Sequence, residues 1–176
     1  MSFPILHTER LTLRQLNSAD ANGLFRLRSN EDYCRFTRMK QYVSIEQVLD
    51  YIKRCDTGYM ENNSVVWSIT LKELDGHIGS ICLWNYSPDI KRTEIGYDLL
   101  PEFRGKGYIS EAINAVVSYA FDVMSFDVVF AGLVYANEKS VKTLERNGYV
   151  NKGLYTEAGE NGEPIEMALY ELRREE

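Results

Sequence analysis

The sequence predicts an α/β fold of the α+β kind, built on a mixed but mainly antiparallel sheet of six to seven strands with about four helices. Three observations predict it. Alternating apolar runs recur along the whole chain, helical periodicity interrupts them in a few places, and several consecutive strand runs are joined by turns too short for a crossover. One Asp-Gly pair and one Asn-Gly pair sit at such turns.

The elements follow in order. "ILHTERLTLRQL" alternates Leu11 and Leu13 against Thr12 and Arg14 and reads as a strand. Ser18 is expected to cap a helix near 19–29 that carries Leu24, Phe25 and Leu27. Residues 30–43 are aromatic, basic and irregular, a loop or short helix. "SIEQ", Ser44 to Gln47, has the spacing of a capping box, and the helix after it would bury Ile45, Val48, Leu49 and Ile52. "SVVWSITLKE" and "HIGSICLWNY" form a hairpin about Asp75-Gly76, and "KRTEIGYDLL" follows as a third strand. A helix over about 108–122 puts Ile109, Ala112, Ile113, Val116, Val117 and Ala120 on one face. "DVVFAGLVY" is a further strand. "NEKSVKTLERNG" is a helix capped by Asn137 and stopped by Gly148. Two last strands, near 149–157 and 164–172, flank Asn161-Gly162.

Composition sets limits. The 176 residues fit one domain, taken here as 1–176, and 44% hydrophobic with 26% charged residues is an ordinary globular balance. No apolar run approaches the length of a membrane span, and the N-terminus lacks the pattern of a secretory signal. Cys34, Cys55 and Cys82 are widely spaced, and His7 and His77 lie far apart, so neither a disulfide framework nor a metal site is expected. A cytoplasmic protein with free thiols is the reading. The net charge of −6 argues against a nucleic-acid surface and is compatible with a cationic substrate such as an amine.

Chemistry concentrates in "LLPEFRGKGYISEA", Leu99 to Ala112. Gly105 and Gly107 stand at a strand-to-helix junction, where bare backbone can approach a ligand closely. The helix that follows offers unpaired N–H groups and the positive end of its dipole, a combination suited to phosphate. Arg104 and Lys106 add charge at the rim. The spacing is neither a Walker A loop nor a dinucleotide fingerprint, since Ser110 stands where a third glycine would be. Alone, the loop reads equally as a tight structural turn.

"EIGYDLLPEFRGKGYISEA", followed about thirty residues later by "NEKSVKTLERNGY", resembles the GCN5-related N-acetyltransferase superfamily, and "TERLTLR" is similar to the opening strand of its ribosomal-protein N-acetyltransferase-like branch. The resemblance covers essentially the whole chain. It implies a sheet with splayed central strands and transfer of acetyl from acetyl-CoA, a co-substrate, to a primary amine with no metal. It implies that Gly105, Lys106, Gly107 and Tyr108 cradle the CoA pyrophosphate through backbone amides with Arg104 supplying side-chain charge, that Leu99 and Leu100 offer backbone groups to the pantetheine arm, and that Asn137 hydrogen-bonds that arm or holds the strand gap. Glu102 departs from the family pattern, which has Gln or Arg there, and is expected to face solvent.

Acyl transfer needs a base, an oxyanion donor and help for the leaving thiolate. Glu94, on the strand leading to the loop, is the first candidate base, with an exposed partner of Arg92 as its plainer reading. Glu157 is a second carboxylate, with a turn-flanking surface charge as the alternative. The tyrosine that many members carry seven residues after the asparagine is Leu144 here. By resemblance Ser140 is the group left to assist the thiolate, though it also reads as a helix residue bonded to the Asn137 cap; Tyr135, Tyr149 and Tyr155 are substitutes. A backbone N–H near Leu99 would hold the oxyanion. Tyr33, Phe36 and Tyr42 in "DYCRFTRMKQY" are read as an acceptor-binding wall. Trp67, Trp84 and Cys82 are read as packed strand residues and His77 as a strand-start residue.

The expected reaction is direct transfer in a ternary complex to a protein N-terminus, a ribosomal protein first by resemblance. A small-molecule amine (polyamine, amino acid or antibiotic) is the alternative within enzymes, and a non-catalytic acyl-CoA-binding module the alternative outside them. The resemblance also allows a homodimer; no interface is read from the sequence.

Overall fold

The computed structural model describes residues 2–159 and 161–175. Its strands are β1 (Leu6–His7), β2 (Leu11–Gln15), β3 (Val65–Leu71), β4 (Leu74–Ser87), β5 (Arg92–Leu99), β6 (Val128–Val134), β7 (Val150–Ala158) and β8 (Pro164–Arg173). Its helices are α1 (Ala21–Arg28), α2 (Glu31–Thr37), α3 (Ile45–Met60), α4 (Tyr108–Asp122) and α5 (Glu138–Arg146). All eight strands form one sheet in the order β1-β2-β3-β4-β5-β6-β8-β7. The α+β class and the chain order of the elements match the sequence reading. The extra strand is the two-residue β1, separated from β2 by a bend, and the extra helix is α2 within the irregular 30–43 segment.

Period-2 alternation assigns the faces. Trp67 and Ile69 on β3, with Ile81 and Leu83 on β4, join Ala112, Ile113, Val116, Val117 and Ala120 of α4 in the larger core cluster. Val66, next to Trp67 on β3, turns to the other face and packs with Leu24 of α1 and with Val48, Ile52 and Cys55 of α3. The sheet is thus a middle layer, with α4 on one side and α1 and α3 on the other.

Local signals explain the boundaries. Ser44 and Gln47 form the reciprocal capping box at the start of α3. Asn137 caps α5 by accepting from the Ser140 N–H, and Gly148 follows the helix with a left-handed φ of +81°. The first helix starts differently from expectation. The cap is Asn17, not Ser18, because Ser18–Asp20 form a 3-10 turn whose capping box is Asn17 with Asp20. Asp20 is buried and takes two hydrogen bonds of 2.8 Å from Arg14.

One feature of the sheet positions everything that follows. β5 and β6 are its parallel pair, and they meet over only three residue pairs, ending at Glu94↔Phe130. Beyond that point β5 stays paired to β4 as far as Leu99, and β6 to β8 as far as Val134. The two strands therefore part, leaving a gap in the middle of the sheet. At the closed end Arg92 of β5 reaches over β6 to Glu171 of β8, at 3.2 Å, and stacks on the Phe130 ring at 4.0 Å.

Candidate active site

The loop after β5 enters α4 through two glycines in the left-handed region, Gly105 at φ +74° and Gly107 at φ +82°, the latter serving as the N-cap of α4. L side chains rarely tolerate that backbone, so bare glycine is required. The first turn of α4 presents N–H groups without intrahelical acceptors. Arg104, Gly105, Lys106 and Gly107 are exposed, and Tyr108 is half-buried. These residues fit a pyrophosphate: a bare backbone at a helix start, with two cations at its rim. Arg104 Nε donates to the Leu99 carbonyl at 2.9 Å, and the Leu100 N–H donates to Ile78 at 2.8 Å. The rail formed by Leu99 and Leu100 is thereby anchored on both sides.

Two carboxylates flank this anion site, and each is held by an arginine from elsewhere in the chain. Glu102 faces solvent, as expected from the sequence, and pairs with Arg26 of α1 at 2.7 Å. Glu111, in the first turn of α4, accepts from Thr8 Oγ1, from the Arg10 N–H at 2.8 Å and from Arg10 Nε at 2.7 Å. Burial alone would raise the Glu111 carboxyl, but those donors hold it below the usual carboxylate range. Arg10 also donates to the Lys106 carbonyl at 3.0 Å and lies over the Tyr108 ring at 4.6 Å. The sequence reading took Arg10 only as part of a strand.

A cavity of about 490 Å³ opens beside the point where β5 and β6 part. Its lining includes Glu94, Glu157, Arg38, Trp84, Phe130 and Tyr155. Glu94 and Glu157, far apart in sequence, thus share one space. Burial pushes the Glu94 carboxyl above its ordinary value, despite hydrogen bonds from Asn85 Nδ2 at 3.1 Å and from the Gly132 backbone. Glu157 is paired with Arg38, whose second nitrogen donates to the Ala158 carbonyl at 2.8 Å. Gly132 lets this assembly close: a Cβ there would meet the Tyr155 hydroxyl at 2.8 Å and Glu94 Oε1 at 3.6 Å. An isolated glycine inside a strand pattern signals such close approach and was the one sequence cue available for it.

Trp84 corrects an expectation. It was read as core, yet it is 46% exposed and lines the cavity, whereas Trp67 is fully buried. The helical layer covers Cys82 on the same strand face but leaves Trp84 open. The Cys82 thiol is pushed up to about 12 by burial, so it is not a nucleophile at neutral pH. His77 lies inside β4, buried, with Nδ1 2.8 Å from Ser68 Oγ.

Ser140, in the first turn of α5, is half-buried, with Tyr97 of β5, beyond the last β5–β6 pair, beside it at 3.0 Å. Of the aromatic residues in the 33–42 segment, Tyr33 donates to Asp98 at 2.9 Å, Phe36 packs under Arg35, and Tyr42 lies beside Arg28. From this segment Thr37 and Arg38 line the cavity. No helix among the described residues is long and apolar enough to cross a membrane, and among them no cluster of ligating side chains could hold a metal ion.

Comparison with known proteins agrees with this geometry. Residues 10–150 match the family described as the acetyltransferase (GNAT) domain. The chain is 32% identical over 171 residues to the N-acetyltransferase YoaA of Bacillus subtilis, covering 97% of each chain. It is 25% identical over 144 residues to a spermidine N(1)-acetyltransferase of Vibrio cholerae, covering 82% of this chain and 81% of that one. Its fold superposes with a TM-score of 0.86 on RimL, a ribosomal L7/L12 α-N-protein acetyltransferase solved with coenzyme A, at 19% identity and over 97% and 98% of the two chains. The glycine loop at the start of α4, the parted central strands and the family match over most of the length lead to one conclusion: the chain belongs to the GCN5-related N-acetyltransferase family and is an acetyl-CoA-dependent N-acetyltransferase.

Proposed function

We propose that the acceptor is the N-terminal α-amine of a protein, a ribosomal protein first among candidates, and that acetyl passes to it directly in a ternary complex. The observation that carries this reading is the cavity at the parting of β5 and β6, lined by a half-buried, raised Glu94 and by Glu157. An α-amine titrates near 7.7–8 and a lysine near 10.4. At neutral pH an α-amine is partly neutral whereas a lysine is almost wholly protonated, so a carboxylate base has less to do for the α-amine. The shared fold with RimL supports the same acceptor class.

In this reading Gly105, Lys106, Gly107 and Tyr108 hold the pyrophosphate with Arg104 at the rim, and Leu99, Leu100 and Asn137 align the pantetheine arm. Glu157 holds the incoming ammonium once Arg38 releases it, with Tyr33, Phe36 and Tyr42 flanking the approach. Glu94, through a water molecule, takes the amine proton. Nitrogen attacks the thioester carbon, a backbone N–H near Leu99 supports the oxyanion, and Ser140 donates a hydrogen bond to the departing sulfur.

A second reading is acetylation of a polyamine, favoured by the two carboxylates in one cavity and by the spermidine-acetylating relative. Thiol release from acetyl-CoA, measured against N-terminal peptides, lysine peptides and spermidine, separates the two. Turnover of α-amino peptides supports the proposal. Turnover of spermidine with none on peptides replaces it, and a transfer-competent acetylated enzyme would exclude direct transfer.

A further inference from the structure

Ser140 does not stand alone in the gap. Tyr97, on β5 beyond the last β5–β6 pair, brings its hydroxyl 3.0 Å from Ser140 Oγ and 3.4 Å from the Ser140 carbonyl. Tyr149, just before β7, is 3% exposed, and its hydroxyl has no hydrogen-bond partner among the described residues. Burial raises both phenols, Tyr97 to about 12, and their proximity raises Tyr149 further. Both are therefore neutral, and able to donate, at physiological pH. A buried hydroxyl with no partner is costly, so this corner is suited to a ligand group or water that completes it.

The direction of the Tyr97–Ser140 bond follows from acidity. A phenol is a far stronger acid than an alkyl alcohol, even at about 12, so the phenol is the better donor. Either hydroxyl could donate across this contact, and acidity favours the arrangement in which the Tyr97 O–H donates to Ser140 Oγ. The Ser140 proton is then free to point elsewhere, and the Ser140 backbone N–H is already bound to the Asn137 cap. The arrangement also answers the missing tyrosine on α5. Leu144 in its place is fully buried, and the phenol beside the first turn of that helix comes from β5 instead.

We propose that Tyr97 is a positioning residue for acyl transfer: it holds Ser140 so that the serine O–H is aimed into the gap at the thioester sulfur. The inference rests on the functional reading above, which runs the pantetheine arm through this gap. The chemistry balances without a proton leaving either hydroxyl. The amine nitrogen bonds to the acetyl carbon, the C–S bond breaks, and its electron pair goes to sulfur. The amine proton leaves by way of Glu94 and water, and the thiolate later takes a proton from solvent. Tyr97 and Ser140 lower the energy of that thiolate by hydrogen bonding alone.

The test reads the thiolate directly and needs no acceptor. The pKa of the bound CoA thiol is taken from its thiolate absorbance, as the difference between complexes with CoA and with desulfo-CoA. The wild-type chain should lower it below that of free CoA. Tyr97→Phe, which keeps the ring in the core, should raise the bound value by about one unit, a tenfold change. Ser140→Ala, at the other end of the bond, should raise it by at least as much, and Tyr97→Phe added to Ser140→Ala should change nothing further. A bound thiol with the wild-type pKa in Tyr97→Phe, or a double variant worse than Ser140→Ala, overturns the proposal while leaving the acetyltransferase reading intact. A wild-type chain that does not bind CoA overturns that reading itself.

Discussion

Burial desolvates Glu94 by more than the hydrogen bonds from Asn85 and the Gly132 backbone and the charge of Arg92 return, so its carboxyl holds a proton more tightly than in the unfolded chain. The sign of the linkage follows. Above its raised folded pKa the ionised carboxylate costs stability in full, and that cost is lost as pH falls through the folded value toward the lower unfolded one. A residue kept for packing would not be placed so. Glu94→Gln is expected to lower kcat about a hundredfold, within the span usual for lost general-base catalysis. The acid limb of the pH–rate profile should vanish with it, leaving the limb of the acceptor amine, and thermal stability at pH 8 should not fall. An acid limb that survives would make Glu94 structural. Some of this was legible in the sequence and some was not. Glu94 and Glu157 were each readable as candidates. Their meeting in one cavity was not, because period-2 patterning says which residues share a strand face but not which part of that face a helix will cover. Trp84 was misread for the same reason. Arg38 was invisible because its left-handed backbone, φ +57°, and its pairing with Glu157 belong to the tertiary structure.

At the scale of elements, the glycine loop and α4 were read closely from local signals, since each is encoded within a few residues. What holds them was not. Arg10 meets Glu111 across 101 positions, a contact that no periodicity or cap rule encodes. Its position has a physical logic. Glu111 favours the helix dipole at the start of α4 but puts a negative charge beside the anion site. Arg10 draws that carboxylate aside, fixes the Lys106 carbonyl and packs on Tyr108, so the N–H groups of the loop stay turned toward the ligand. The pair is partly exposed, and its worth lies in orientation more than in stability. Arg10→Ala should raise KM for acetyl-CoA about tenfold, the equivalent of about 1.4 kcal/mol of binding, with kcat nearly unchanged. Steady-state kinetics at saturating acceptor would check it. An unchanged KM would show that the glycine geometry alone holds the loop.

At the scale of the whole molecule, one sheet is made of two parts joined over three residue pairs, the five strands from β1 to β5 and the three from β6 to β8. Arg92 staples the closed end through Glu171 and Phe130, and α4 spans the join from below. The open end leaves backbone groups of residues 95–99 and 131–134 without each other as partners. A pantetheine arm lying there would act as a missing strand, and a pyrophosphate on the α4 start would fix the loop at its edge. Such a ligand binds only the folded chain, so CoA at a hundred times its Kd should add about 2.7 kcal/mol to stability. For a chain of this length that amounts to a rise of about 5–10 °C in Tm. Amide exchange should slow at residues 95–99, 131–134 and 105–109, while β7, at the far edge of the sheet, keeps its rate. A stabilisation spread evenly over the sheet, or a Tm indifferent to CoA, would mean that the parted strands are not where the co-substrate lies.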